Sequence, residues 1–75
     1  MSVTSYILIT IKQGKEHEVA DEIKQMPNVT EVQIVYGMFD LVAKIVTNEL
    51  SELDAIVTSI RKINGVEQTS TLISS

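Results

Sequence analysis

The sequence predicts an α+β protein of ferredoxin-like type, a two-layer sandwich in which two helices cover a four-stranded antiparallel sheet in the order βαββαβ. Four short segments are apolar or alternate in the way that strands do, and two others repeat apolar residues at helical spacing. No linker, low-complexity stretch or third helix interrupts this order. Helices that cross over between strands on one side of a sheet produce this architecture.

The first predicted strand covers residues 6–11 and is apolar on both faces. Successive residues of a strand point to opposite faces, which here sets Ile7, Ile9 and Ile11 against Tyr6, Leu8 and Thr10. A central strand covered on both sides has this composition.

The first predicted helix follows Gly14 and presents a single apolar stripe, formed by Val19, Ala20, Ile23 and Met26. Pro27 stops it. His17, the single histidine, projects away from the stripe. A solvated role is favoured over a catalytic one, since no cysteine or second histidine completes a site.

A hairpin is predicted next. Residues 31–36 place Val32, Ile34 and Tyr36 on one face and more polar residues on the other, which is typical of an edge strand. Residues 41–46 form a third strand, apolar except for Lys44. Gly37, in the turn between them, tolerates the positive φ that short hairpin connections demand.

Residues 47–51 are predicted to open the second helix, and Ser51 with Asp54 resembles a capping box that carries Asp where Glu is usual. Asn64 and Gly65 are predicted to end the helix, with Gly65 as its left-handed cap. A last strand covers residues 66–73. The helix's apolar stripe is formed by Leu53, Ile56, Val57, Ile60 and Ile63.

The chain length of 75 residues predicts a single domain, residues 1–75. We also expect this domain to associate with further copies of itself. A domain this small is marginally stable alone, and without cysteine it has neither a disulfide nor a Cys-type zinc site. Two singly amphipathic helices cover one face of the sheet, and the other face keeps apolar residues. An apolar sheet face left in water would exceed the roughly 300–600 Å² of apolar patch that monomers expose. We therefore expect a homo-oligomer built through the open sheet face.

Charge argues against direct nucleic-acid binding. Ten acidic residues stand against six basic ones, the net charge is −4, and the basic residues form no run longer than two. No apolar stretch approaches the roughly 20 residues of a membrane span, and the N-terminus lacks the charged region of a signal peptide. We expect a cytoplasmic protein without cofactor or metal.

The turn of residues 36–40 is the candidate binding site. Asp40 is an anion between Phe39 and the apolar run that starts at Leu41, where an unpaired charge is penalised. Two interpretations stay open: its carboxylate accepts hydrogen bonds from N–H groups of its own turn, or it awaits a cationic group of a ligand.

Two stretches resemble the ligand-sensing domain of the Lrp/AsnC regulators, called the regulation-of-amino-acid-metabolism (RAM) domain. Residues 36–45 (YGMFDLVAKI) are similar to that family's Gly-x-Tyr-Asp turn and following apolar strand. Residues 63–71 (INGVEQTST) are similar to its helix end, glycine, valine and hydroxyl-bearing strand. Two departures are that Phe39 stands where tyrosine is frequent and that the helix-turn-helix of full-length members is missing, so we expect a stand-alone sensing domain.

The resemblance implies a dimer of the dimeric α/β-barrel type, assembly of dimers into rings, and an amino-acid effector bound where dimers meet. Full-length Lrp/AsnC regulators are implied as further partners. The residues that it implies for the ligand site are Tyr36, Gly37, Met38, Phe39, Asp40, Thr69, Ser70 and Thr71.

Other interpretations remain. The three hydroxyl residues also suit an ordinary strand with a solvated face, and Met38 also suits a core position. The same dimeric architecture hosts monooxygenases, so fold alone does not exclude an enzyme. A module that joins larger regulators without binding a ligand is a further alternative.

Overall fold

The computed structural model describes residues 2–74, and these form the six predicted elements in the predicted order. The sheet is antiparallel throughout, with the strands side by side in the order β2-β3-β1-β4. The ferredoxin-like sandwich is therefore confirmed. Its elements are β1 (Val3–Ile11), α1 (Glu16–Lys24), β2 (Val29–Ile34), β3 (Leu41–Thr47), α2 (Leu50–Arg61) and β4 (Val66–Ile73).

The core lies between the helices and one face of the sheet. It is built from alternate residues of the two central strands and from the apolar stripes of both helices, as periodicity predicted. Burying an aliphatic side chain of this kind contributes about 1.5–3 kcal/mol. The buried core residues are Ile7, Ile9 and Ile11 of β1, Leu41, Ala43 and Ile45 of β3, Val19, Ala20 and Ile23 of α1, and Leu53, Ile56, Val57 and Ile60 of α2.

The other face of the sheet carries no helix and stays partly apolar. Leu8 pairs with Val42 across β1 and β3, and Tyr6 pairs with Leu72 across β1 and β4. Residues that pair directly share a face, so these side chains lie together on the side away from the helices. Tyr6 is 37% exposed and Leu72 is 53% exposed. This surface, with Val46, is called the open face below.

The bounds of two strands differ from the prediction by two residues or more. β1 begins at Val3 because residues 3–5 continue the ladder with β3, where Val3 pairs with Thr47. β2 covers Val29–Ile34 instead of residues 31–36, since Val29 already pairs with Ile45 while Ile34 makes the last pair. β2 lies at the edge of the sheet, as predicted, but Tyr36 lies beyond it.

The predicted caps of the second helix, Ser51 and Gly65, were both wrong. The N-cap is Glu49, and the Glu52 carboxylate accepts the Glu49 backbone N–H at 2.9 Å, so Ser51 lies inside the first turn. The helix ends at Arg61 with Lys62 as its C-cap. Gly65 has the expected positive φ, +108°, but it serves the tight turn after the helix that leads into β4.

The first helix also ends earlier than its apolar stripe. Met26 and Ile63 lie outside the helices, yet both pack against the core as half-buried side chains. Within residues 2–74 neither helix is long and apolar enough to cross a membrane.

Gly65 supplies a stability test. An added Cβ would lie 3.0 Å from the Lys15 Cβ, in a backbone conformation that side chains rarely adopt. We expect Gly65→Ala to lower the free energy of unfolding by about 1–3 kcal/mol, measured by urea denaturation. Gly14→Ala is the matched control, because Gly14 has φ +89° with nothing near its added Cβ. An equal loss in both variants would show that the contact with Lys15 is unimportant.

Candidate functional site

The connection between β2 and β3 is a six-residue turn, residues 35–40. The Val35 N–H donates to the Asp40 carbonyl at 3.0 Å, which closes the turn at its base. Gly37 has φ +131°, in the region that favours glycine, as the sequence predicted. The turn projects beyond the sheet at the end of β1 where Ile11 lies.

Asp40 fastens this turn to the central strand. Its backbone N–H donates to the Ile9 carbonyl at 2.9 Å, and its carboxylate oxygen Oδ2 accepts the Ile11 N–H at 2.7 Å. The β1–β3 ladder ends at the pair Ile9–Leu41. The side chain of Asp40 therefore continues the ladder by one hydrogen bond where the two backbones separate.

This contact corrects one interpretation from the sequence. Asp40 does accept a backbone N–H, but the donor belongs to a strand 29 positions away, not to its own turn. Among residues 2–74, the second carboxylate oxygen, Oδ1, has no hydrogen bond or ion pair. That oxygen remains available to a ligand.

The half-buried Asp40 lines a groove of about 300 Å³ together with the end of β2 and the start of α1. Tyr36, fully exposed, stands at its rim. Glu16 also lines it and is oriented by its own backbone contact, since its Oε1 accepts the Gly14 N–H at 3.1 Å. Among the described residues that line the groove there is no lysine or arginine. Its lining is Glu16, His17, Ile34, Val35, Tyr36 and Asp40.

Four groove residues were missed by sequence reasoning, namely the neighbours Ile34 and Val35 and the polar residues Glu16 and His17. His17 points away from the apolar stripe and is exposed, as expected, yet this direction is also what brings it to the groove. Glu16 gave no signal at all. Both precede Tyr36 by about twenty positions, and only the packing of α1 beside β2 makes them neighbours.

The remaining predicted turn residues do not line this groove. Gly37 is exposed, Met38 is 88% exposed and Phe39 is half-buried. Met38 is thus a surface residue in this chain, and a core role for it is wrong.

The hydroxyl strand lies apart from the turn. Thr69 pairs with Ile9 and Thr71 with Ile7 on the helix side, whereas Ser70 pairs with Leu8 on the open face. The three side chains therefore do not form one pocket within a single chain, and β1 separates them from Asp40. Their role in a ligand site shared between chains stays a prediction.

No metal centre is evident in the part of the chain that the structure describes, where no three His, Cys, Asp or Glu side chains are grouped closely enough to hold an ion. Within the described residues, the site therefore offers hydrogen-bonding and charged groups but no cluster of metal ligands.

The Asp40–Ile11 contact predicts a graded loss of stability. Asp40→Ala leaves the Ile11 N–H without its acceptor and should cost about 1–3 kcal/mol of unfolding free energy. Asp40→Asn keeps an amide oxygen able to accept, and should cost less. Urea denaturation measures both. Glu16→Ala removes an exposed contact of the same type and should stay within about 0.5 kcal/mol of the original. Indistinguishable Ala and Asn variants would contradict the contact.

Comparison with known proteins identifies the family. The model of the Lrp/AsnC ligand binding domain matches residues 4–75. The HTH-type transcriptional regulator FL11 of Pyrococcus furiosus is 38% identical over 72 residues, which are 96% of this chain and 48% of the regulator. The chain thus spans about half the length of the curated relatives that it matches.

Solved structures agree with this match. The crystal structure of FFRP-DM1 is 42% identical, with a TM-score of 0.92 over 97% of this chain and 99% of that one. The transcriptional regulator NMB0573 of Neisseria meningitidis, in a complex with L-Met, shares the fold at 14% identity, with a TM-score of 0.86 over 97% of this chain and 49% of that one. The chain belongs to the Lrp/AsnC family and is a ligand binding domain of that family's transcription regulators.

Proposed function

We propose that this domain binds a free amino acid at the groove beside Asp40 and transmits that binding through the assembly of several copies. The single observation that carries the proposal is the Asp40 carboxylate, which one backbone N–H holds in place while its second oxygen stays unpaired at a small-molecule-sized groove.

The chemistry of an amino acid fits this groove. The ammonium of a zwitterion needs an anion, which Asp40 Oδ1 supplies, and its carboxylate needs donors. The Tyr36 hydroxyl and the ring N–H of His17 are donors on the same groove. At 4 Å and an effective dielectric near 20, an ammonium–carboxylate contact is worth about 4 kcal/mol before desolvation.

A relative supports the ligand class. NMB0573, which shares this fold, is described in a complex with L-Met. The identity of 14% transfers the fold and not the site. The argument for this chain therefore rests on Asp40 and its surroundings, with the relative as support for a small amino acid.

The open face supports the assembly. Tyr6, Leu8, Val42, Val46 and Leu72 present apolar surface that no helix of the same chain covers. Apolar burial contributes about 25 cal/mol per Å², so a second copy of the sheet is the proposed cover, with dimers joining into larger rings.

The regulatory role follows from assembly. With a net charge of −4 the domain lacks a basic patch for phosphate contacts, so we propose that it acts without binding DNA itself, in the cytoplasm, and through mixed assemblies with full-length Lrp/AsnC regulators. An effector biases such an exchange only by its differential affinity for the alternative assemblies. The naming of relatives as regulators favours this role over catalysis.

The assembly is tested by charge insertion on the open face. Leu8→Glu places a carboxylate at the centre of the proposed interface, so light scattering at micromolar concentration should show its mass falling to that of a monomer while circular dichroism shows an intact fold. Thr58→Glu adds the same charge on the exposed side of α2 and should leave the oligomer unchanged. A monomeric original protein, or an oligomeric Leu8→Glu variant, would refute the interface.

The ligand is tested by a thermal-shift screen against the twenty amino acids. Ligand at about 100 times its Kd should stabilise the protein by about 2.7 kcal/mol, which raises Tm by about 10 °C or more for a domain of this size. Asp40→Asn should abolish the shift, whereas Asp54→Asn, the same loss of charge on the exposed side of α2 and outside the groove, should keep it. The absence of a shift with every amino acid would leave an interaction module that binds no effector.

A further inference from the structure

The structure has a second cavity, remote from Asp40. It measures about 410 Å³ and lies between the C-terminal turn of α2 and the start of β4, lined by Arg61, Val66, Glu67, Gln68 and Thr69. Its size falls in the range of about 300–1,000 Å³ typical of small-molecule sites. Of these residues, the resemblance to the Lrp/AsnC family implies a ligand-binding role for Thr69 alone, and it assigns none to Arg61.

The guanidinium of Arg61 is held in a defined orientation. Its Nε–H donates to the Thr69 Oγ1 at 3.1 Å, across eight positions of the chain. A guanidinium has five N–H donors in a rigid plane. With Nε engaged, the two Nη groups remain as a fork that suits a bidentate oxyanion.

Arg61 also has no ion-pair partner among the described residues. Within residues 2–74 the structure contains one ion pair, Lys15–Glu18 at 3.5 Å, and Arg61 takes part in none. This holds even though Glu67 lines the same cavity and acidic residues outnumber basic ones ten to six. A positive group with unused donors is therefore available to a ligand.

Thr69 completes the donor set. Because its oxygen accepts from Arg61, its hydroxyl hydrogen is free to donate into the cavity. Donors of this kind, converging on one cavity, bind carboxylate or phosphate oxygens.

This cavity is separate from the groove of Asp40. β1 lies between β3 and β4, and Asp40 and Thr69 approach it from opposite sides. Two strand spacings amount to about 10 Å, whereas the ammonium and carboxylate of an amino acid share one carbon atom. One amino acid cannot contact Asp40 and Arg61 of the same chain.

We propose that the cavity at Arg61 is a binding site for a small oxyanion, a carboxylate or a phosphate group, distinct from the amino-acid groove at Asp40. The Nη fork contacts two oxygens of the anion, and the Thr69 hydroxyl donates to one of these in a carboxylate or to a third oxygen in a phosphate.

The test is an NMR titration of the ¹⁵N-labelled protein with sodium phosphate and, separately, sodium acetate, at constant ionic strength set by sodium chloride. We expect saturable shifts of the Arg61 Nε–H and the backbone amides of residues 66–69 with at least one of the two anions. The anion that saturates identifies the source as phosphate or carboxylate.

Matched variants assign the effect to Arg61. Arg61→Ala should weaken binding at least tenfold and Thr69→Val, which keeps the charge but frees the guanidinium, by several-fold. Lys62→Ala removes the same charge from the next position, outside the cavity lining, and should change affinity less than twofold. Circular dichroism verifies the fold of each variant.

The opposite results overturn the proposal. Non-saturating shifts with both anions, or equal affinities in the Arg61→Ala and Lys62→Ala variants, would mean that Arg61 serves only the negative end of the helix dipole. Asp40→Asn should leave the anion titration unchanged, so failure at one site is distinguishable from failure at the other.

Discussion

The structure depends on one geometric constraint: two short helices cover one face of a four-stranded sheet and leave the other face open. β1 shows the effect of this arrangement most clearly. Its residues Ile7 and Ile9 are fully buried under the helices, whereas Tyr6 and Leu8 point to the open face. Successive residues of a strand cannot share a face. A strand that is apolar on both faces therefore commits the molecule to a second covering layer.

Asp40 connects this framework to the candidate site. Its Oδ2 extends the β1–β3 ladder by accepting a hydrogen bond from the Ile11 N–H, and Asp40 also lines the groove. The same side chain thus has a structural role and, in the proposed function, a binding role, so both stability and binding must be measured for any variant of it. Separating them requires Asn, which keeps an acceptor for the strand while it removes the charge that a ligand needs.

The two cavities differ in charge, because one is lined by two carboxylates and the other by Arg61 together with Glu67. The groove at Asp40 is lined by Glu16 as well and by no lysine or arginine, whereas the cavity at β4 is organised by Arg61. They lie on opposite sides of β1, so charge and distance both separate the ligands that they suit. The hydroxyl strand divides in the same way, since Thr69 belongs to the Arg61 cavity and Ser70 to the open face.

The sequence by itself determined the class of fold, the order of the elements, nearly all of the core and the turn that bears Asp40, because these follow from local periodicity and backbone preferences. It placed β2 two residues late and the helix cap at Ser51 instead of Glu49, since several nearby residues satisfy the same local rule. Only the tertiary structure decided the partners of the charged side chains. Ile11 meets Asp40 across 29 positions, His17 reaches the groove of Tyr36 through helix packing, and Arg61 is oriented by Thr69. Such contacts are set by the register of the strands and the position of the helices over them, which no local pattern encodes.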